Sequence, residues 1–189
     1  LQADNLNRYW LGIYWLPSQI QAINPVMILI LAPLFAYVIY PMMGKYFTVT
    51  PLRKMSIGLF LAVPSFIIIG FVQSWLDAGQ TPSIAWHVIA YGILTAAEVL
   101  VSITCLEFSY TQAPNKMKSL IMGFYMLSVS LGNIFTAVVN ILIQNPDGSS
   151  KLAGASYFHF FAGTMLITAA LFLLVIKYYE PKTYLHEEI

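Results

Sequence analysis

The chain is short of charge. Only 9% of its 189 residues are Asp, Glu, Lys or Arg, against about 25% in a soluble globular domain, so a water-soluble fold is excluded. The basic residues are dispersed and the net charge is +1, which leaves no basic patch for nucleic acid. Cysteine occurs once, as Cys105, so neither a disulfide framework nor a multi-cysteine metal site is available. Neither His87 nor His159 has a His, Cys or carboxylate three or four residues away, and the three histidines share no face. No metal site is therefore expected, and both residues read as interfacial. There is no nucleophile–base arrangement, Gly-rich phosphate loop or carboxylate pair in the apolar segments, so an enzyme is not expected.

What the chain does have is apolar length. Hydrophobic residues make up 59% and the mean hydropathy is +0.73, the mark of an integral membrane protein. Windows of about 20 apolar residues predict five transmembrane helices near 18–43, 52–75, 83–111, 117–144 and 154–178. GKYFTVTPLRK, LDAGQTP, QAPNKMK and NPDGSSK separate them, each with Pro or Gly among polar residues. Pro25, Pro33, Pro41 and Pro64 fall inside the spans, where a membrane bundle tolerates them as kinks.

Lys45, Arg53, Lys54, Lys116, Lys118, Lys177 and Lys182 fall on one side of these spans, with Arg8 and Lys151 on the other. The positive-inside rule makes the first side cytoplasmic. Residues 1–17 then form the extracytoplasmic end of a preceding helix and its loop, and 179–189 a cytoplasmic tail. Trp10, Tyr14, Trp15, Trp75 and Trp86 outside, and Tyr178 and Tyr179 inside, suit interfacial belts. The chain starts on polar LQADNLNR without a signal peptide and reads as a piece of a longer polypeptide, cut in a loop. The expected place is a cell membrane, crossed several times, with the lipid bilayer as a partner.

Glu98 is the only Asp, Glu, Lys or Arg in SIAWHVIAYGILTAAEVLVSITC. A carboxylate at the centre of a spanning helix costs at least ~2.5–3.5 kcal/mol and usually faces a partner, a substrate or water. At about 100° per residue, Tyr91, Thr95, Glu98, Ser102 and Cys105 fall on one stripe. That stripe suits a polar cavity; the alternative is a packing face with Thr95 and Ser102 bonded to their own backbone. Glu107 lies about half a turn around the helix from Glu98, near the cytoplasmic boundary, where a salt bridge to Lys116, Lys118 or Arg53 and a gating role are expected. Asn24, just before Pro25, and Asn133, near mid-membrane, are the other strong polar intrusions. Each is a candidate ligand contact or a point of interhelical glue. Asn140 reads as glue or a frayed helix end.

The segments QIQAINPVMILILAPLFAYVIYP, AYGILTAAEVLVSITCLEFSYTQAPNKMKSLIMGF and YMLSVSLGN resemble the proton-dependent oligopeptide transporter family of the major facilitator superfamily. EFSYTQAPNKMKS below a mid-helix Glu is the specific part, and QAINP alone is a weak match. The resemblance implies an all-α, polytopic membrane bundle forming the C-terminal half of a major facilitator fold: the end of helix 7, then helices 8 to 12. It also implies roles. Glu98 matches a helix-10 glutamate that meets the peptide amino terminus and takes part in proton coupling. Ser102 and Tyr91 match residues lining that cavity. Asn24 and Asn133 match asparagines that bind the peptide backbone and amino end. Tyr125 departs from the pattern, because many relatives carry Trp there, which alters the side-chain pocket. The ExxERFxYY motif of helix 1, the helix-4 lysine and the acidic part of helix 7 have no counterpart here.

The resulting expectation is the C-terminal bundle of a proton-coupled symporter of di- and tripeptides, with no cofactor beyond the coupling proton. It would supply the amino-end half of the site and need an N-terminal six-helix bundle of the same transporter. A same-fold transporter of nitrate or a drug-like amine, and a non-transporting receptor or assembly subunit, remain the alternatives.

Overall fold

The structure is a computed structural model that describes residues 2–145 and 150–179. Five long helices dominate it: α1 Pro17–Gly44, α2 Pro51–Asp77, α3 Ala85–Thr111, α4 Lys118–Ile143 and α5 Ala155–Tyr178. Each has 24 to 28 residues, or ~36–42 Å at about 1.5 Å per residue, against a bilayer core of about 30 Å. The expected tail 179–189 lies, from residue 180 on, outside the described residues, as does the PDGS stretch before Ser150.

Local chemistry sets the helix starts. Pro17 and Pro51 take the first helical position of α1 and α2, where a missing N–H costs nothing. The Gln19 side chain accepts from Leu16 N–H at 2.9 Å, and Thr50 Oγ1 accepts from Arg53 N–H at 3.4 Å. Ahead of α1, Gln2–Asn5 forms a short 3-10 turn and Tyr9–Trp10 pairs antiparallel with Ile13–Tyr14. Leu11 at φ 54° and Gly12 at φ 76° make the two-residue turn, whose type requires both angles positive. This hairpin was not among the sequence expectations. The segment is pinned to the α2–α3 connection, where Asn7 N–H donates to Pro82 O and Ile84 N–H to Asn7 O, both at 3.0 Å.

Two proline-linked or glycine-linked features bend the bundle from ideal geometry. In α1 the five residues Phe35–Ile39 form a π segment, with Tyr40 N–H bonding back to Phe35 O. Pro41 follows and has no N–H for the Tyr37 carbonyl, so a wide turn is the natural accommodation. A second π segment, Val99–Ile103, begins directly after Glu98 in α3. It packs into α2 at Gly58, where a Cβ would lie 2.6 Å from Val101 Cγ2 and 2.9 Å from Ala97 O. Only a residue without a side chain admits that approach.

The core has two parts. Leu6, Ile20, Val72 and Ile84 are buried together beneath Trp10, Trp15 and Trp75 at the N-terminal end of α3. Phe35, Val99 and Leu100 form the second cluster, against Leu31, Ile39 and Leu61, so the two π segments pack on one another. Helix α2 lies between α3 and α5, and α1 lies on α3. Helix α4 stands apart: its most apolar stretch has no buried residue, and it meets α3 mainly along Thr104–Thr111. At its other end, Asn140 Oδ1 accepts from Tyr157 of α5 at 2.9 Å, a point of interhelical glue.

Candidate polar site between helices α1 and α3

Asn24 and Glu98 meet across the α1–α3 contact. The Asn24 Nδ2 donates to Glu98 Oε2 at 3.2 Å, and Thr95 Oγ1 lies 2.5 Å from Asn24 Oδ1. Thr95 is fully buried, while Asn24 and Glu98 are half-buried. Glu98 Oε1 has no hydrogen bond among the described residues and is not sealed from outside. A carboxylate with one oxygen held by an amide and the other open is arranged to accept a donor such as an ammonium. No ion pair reaches Glu98 among the described residues.

Ser102 and Tyr125 sit one step further along α3. The Tyr125 hydroxyl of α4 donates to Ser102 O at 3.4 Å, the long end of the hydrogen-bond range, and Tyr125 lies within electrostatic reach of Glu98 and Cys105. The π segment Val99–Ile103 turns the chain less per residue than an α-helix, which keeps Ser102, four residues on, close to the face of Glu98 and carries Cys105 away from it.

Asn133 is not gathered with this pair. It is exposed on α4 and makes no hydrogen bond among the described residues. Counting residues along a helix gives depth but not the face presented, and α4 has diverged from α3 by that level. Glu107 is exposed and has no ion pair with Lys116, Lys118 or Arg53 among the described residues. Instead the Arg53 guanidinium donates to Thr48 O at 2.8 Å and to Thr48 Oγ1. Lys118 lies 4.4 Å from the Tyr110 ring centroid and Lys54 3.8 Å from that of Tyr40. The phenol of Tyr40 lies by Thr104 and within electrostatic reach of Glu107.

Tyr91 lines a different space, a cavity of about 540 Å³ between the N-terminal segment, helices α1, α2 and α3, and Phe158 of α5. His87, in the first turn of α3, is buried and lines this cavity, and its Nδ1 has no hydrogen-bond partner among the described residues. Asn24 and Glu98 do not line it. Gln21, whose carbonyl is left without a helical partner because Pro25 lacks an N–H, does.

Sequence reasoning weighed Thr95 as a member of the stripe or as bonded to its own backbone, and it does reach the Tyr91 carbonyl oxygen; its buried bond to Asn24 joins two helices, and a contact of that range leaves no local signal. Gly58 carried no signal either, because a single glycine in an apolar run does not reveal which neighbour comes close.

A profile described as the POT family matches residues 1–175. Solute carrier family 15 member 2 of Rattus norvegicus is 40% identical over 114 residues, covering 58% of this chain and 14% of the carrier. The crystal structure of an auto-inhibited POT family peptide transporter superposes with a TM-score of 0.88 at 30% identity, covering 99% of this chain and 37% of that one. The POT family transporter PepTSo superposes with a TM-score of 0.83 at 34% identity, over 93% and 36%. The chain thus spans a little over a third of the solved structures it matches.

Proposed function

The chain belongs to the POT family and has the fold of the C-terminal half of a major facilitator transporter; from that premise we propose that it is the C-terminal bundle of a proton-coupled symporter of di- and tripeptides. It supplies the part of the site that takes the peptide amino end. The observation that carries this reading is the Asn24–Glu98 hydrogen bond, which places a carboxylate and an amide from two spanning helices against each other. In that arrangement Glu98 receives the peptide ammonium and Asn24 the first peptide group. Ser102 and Tyr125 border the path of the side chains, Tyr91 takes part from the adjoining cavity, Asn133 closes on the peptide when α4 moves toward α3, and Glu107 gates the end near Thr111.

The same carboxylate serves the coupling proton. Withdrawing a carboxyl group from water favours its neutral form, and an ammonium beside it favours the ionised form, so proton release and peptide capture are linked at Glu98. The rest of the site belongs to an N-terminal six-helix bundle of the same transporter, in a cell membrane with the C-terminus cytoplasmic. Binding at the interface of two rocking bundles is a common transporter design. The test is competition between a free dipeptide and its N-acetylated form in the complete protein. The lost charge-assisted contact is worth about 1.5–3 kcal/mol, so acetylation should weaken binding by roughly 10- to 150-fold. Equal competition removes Glu98 from this role.

A further inference from the structure

Thr95 Oγ1 stands between two acceptors, 2.5 Å from Asn24 Oδ1 and 2.7 Å from the Tyr91 carbonyl oxygen. A hydroxyl has one hydrogen to donate, so it satisfies one of them at a time. While Asn24 turns Nδ2 to Glu98 and Oδ1 to Thr95, the hydroxyl hydrogen is committed to Asn24, since two oxygens at that separation need a hydrogen between them. The Tyr91 carbonyl then relies on its helical N–H.

The opposite amide orientation is also fully bonded, on one condition. If Asn24 presents Nδ2 to Thr95, the hydroxyl accepts that N–H and donates its own hydrogen to the Tyr91 carbonyl. Asn24 Oδ1 then faces Glu98 Oε2, and this works only if Glu98 carries a proton to donate. An ionised carboxylate accepts hydrogen bonds and donates none, so it enforces the first orientation. A protonated Glu98 permits both. We propose that Thr95 is a positioning residue that ties the orientation of the Asn24 amide to the protonation state of Glu98.

This rests on the reading of Glu98 as the proton and ammonium site, and adds the device by which a proton there changes what Asn24 offers to a peptide. The neighbouring groups leave the relay to these residues. On α4, Tyr125 is within reach of the Glu98 charge; on α1, Tyr40 lies by Thr104 and within reach of Glu107. Helix α2 carries its charged residues, Arg53, Lys54 and Asp77, at its two ends. On α3 itself, His87 lies three turns away at the other cavity, and Cys105 beyond the π segment.

The test uses the complete protein with Thr95→Val, Thr95→Ala and Thr95→Ser. The Glu98 carboxyl is followed by infrared difference spectroscopy during a pH titration, its band identified by loss in Glu98→Gln. Val and Ala remove one hydrogen bond from the arrangement that the ionised carboxylate requires and two from the reversed one that a protonated Glu98 opens. Their titration midpoint should fall by about 0.4–1 pH unit, and the KM for a free dipeptide should rise by about 3- to 10-fold with a smaller change in kcat. Ser, which keeps the hydroxyl, should return both to within about twofold of the parent. If Val and Ala titrate with the parent, or Ser behaves like Val, the relay is overturned. If the midpoints move as described but the parent protein takes up no dipeptide, the relay stands and the transport reading falls.

Discussion

Asn24 and Glu98, separated by 74 positions in the sequence, are joined by a 3.2 Å hydrogen bond between α1 and α3. A contact of this kind couples the two residues in anything they bind. We expect a double-mutant cycle of Asn24→Ala and Glu98→Gln to show an interaction energy of about 1–3 kcal/mol in free-dipeptide affinity. Binding of the peptide to the four proteins, measured by calorimetry, checks this; additive effects would mean that the two residues act separately.

Gly58 sets the distance between α2 and the π segment of α3. A Cβ there would meet Leu100 Cβ at 2.8 Å and Ala97 O at 2.9 Å, and neither is the far end of a flexible side chain. Gly58→Ala should destabilise the protein by about 1–3 kcal/mol, seen as a lowered unfolding midpoint in detergent. Gly123→Ala on α4 meets nothing within 4 Å and should leave the midpoint unchanged or raise it. Equal midpoints for both variants would refute the close-packing account.

Ser102 distinguishes a transport cavity from a sealed helix contact. It is half-buried, next to Glu98 and Tyr125. With Cys105 replaced by Ser, a Ser102→Cys variant should react with a small water-soluble thiol reagent, and a saturating dipeptide should slow that reaction by about tenfold or more. A thiol that stays unreacted would mark this stretch of α3 as dry packing, the arrangement of a receptor or assembly subunit.

The five helices were legible because each apolar window is long and bounded by Pro, Gly and polar residues. Glu98 and Asn24 were legible as polar intrusions, since an acid or an amide stands out in such a run. Their meeting was not, because spacing within one helix says nothing about which face another helix turns toward it. The π segment of α1 had a visible cause in Pro41, whereas that of α3 has none in its own sequence and lies against Gly58 of another helix. The burial of His87 was not legible, because the cavity it lines is shared with Gln2 and Ala3, far away in sequence. The expected Glu107 ion pair gave way to local bonds: Arg53 found Thr48 five residues back, and Lys118 found Tyr110.

The central claim is that the coupling proton and the peptide ammonium share Glu98. Glu98→Gln keeps the shape and can still accept from Asn24, but it cannot titrate. In proteoliposomes holding the complete protein, this variant should lose pH-gradient-driven accumulation of a labelled dipeptide, while exchange of peptide down its own gradient persists. If Glu98→Gln still concentrates dipeptide uphill with an unchanged pH profile, the coupling proton is carried elsewhere and the account is contradicted.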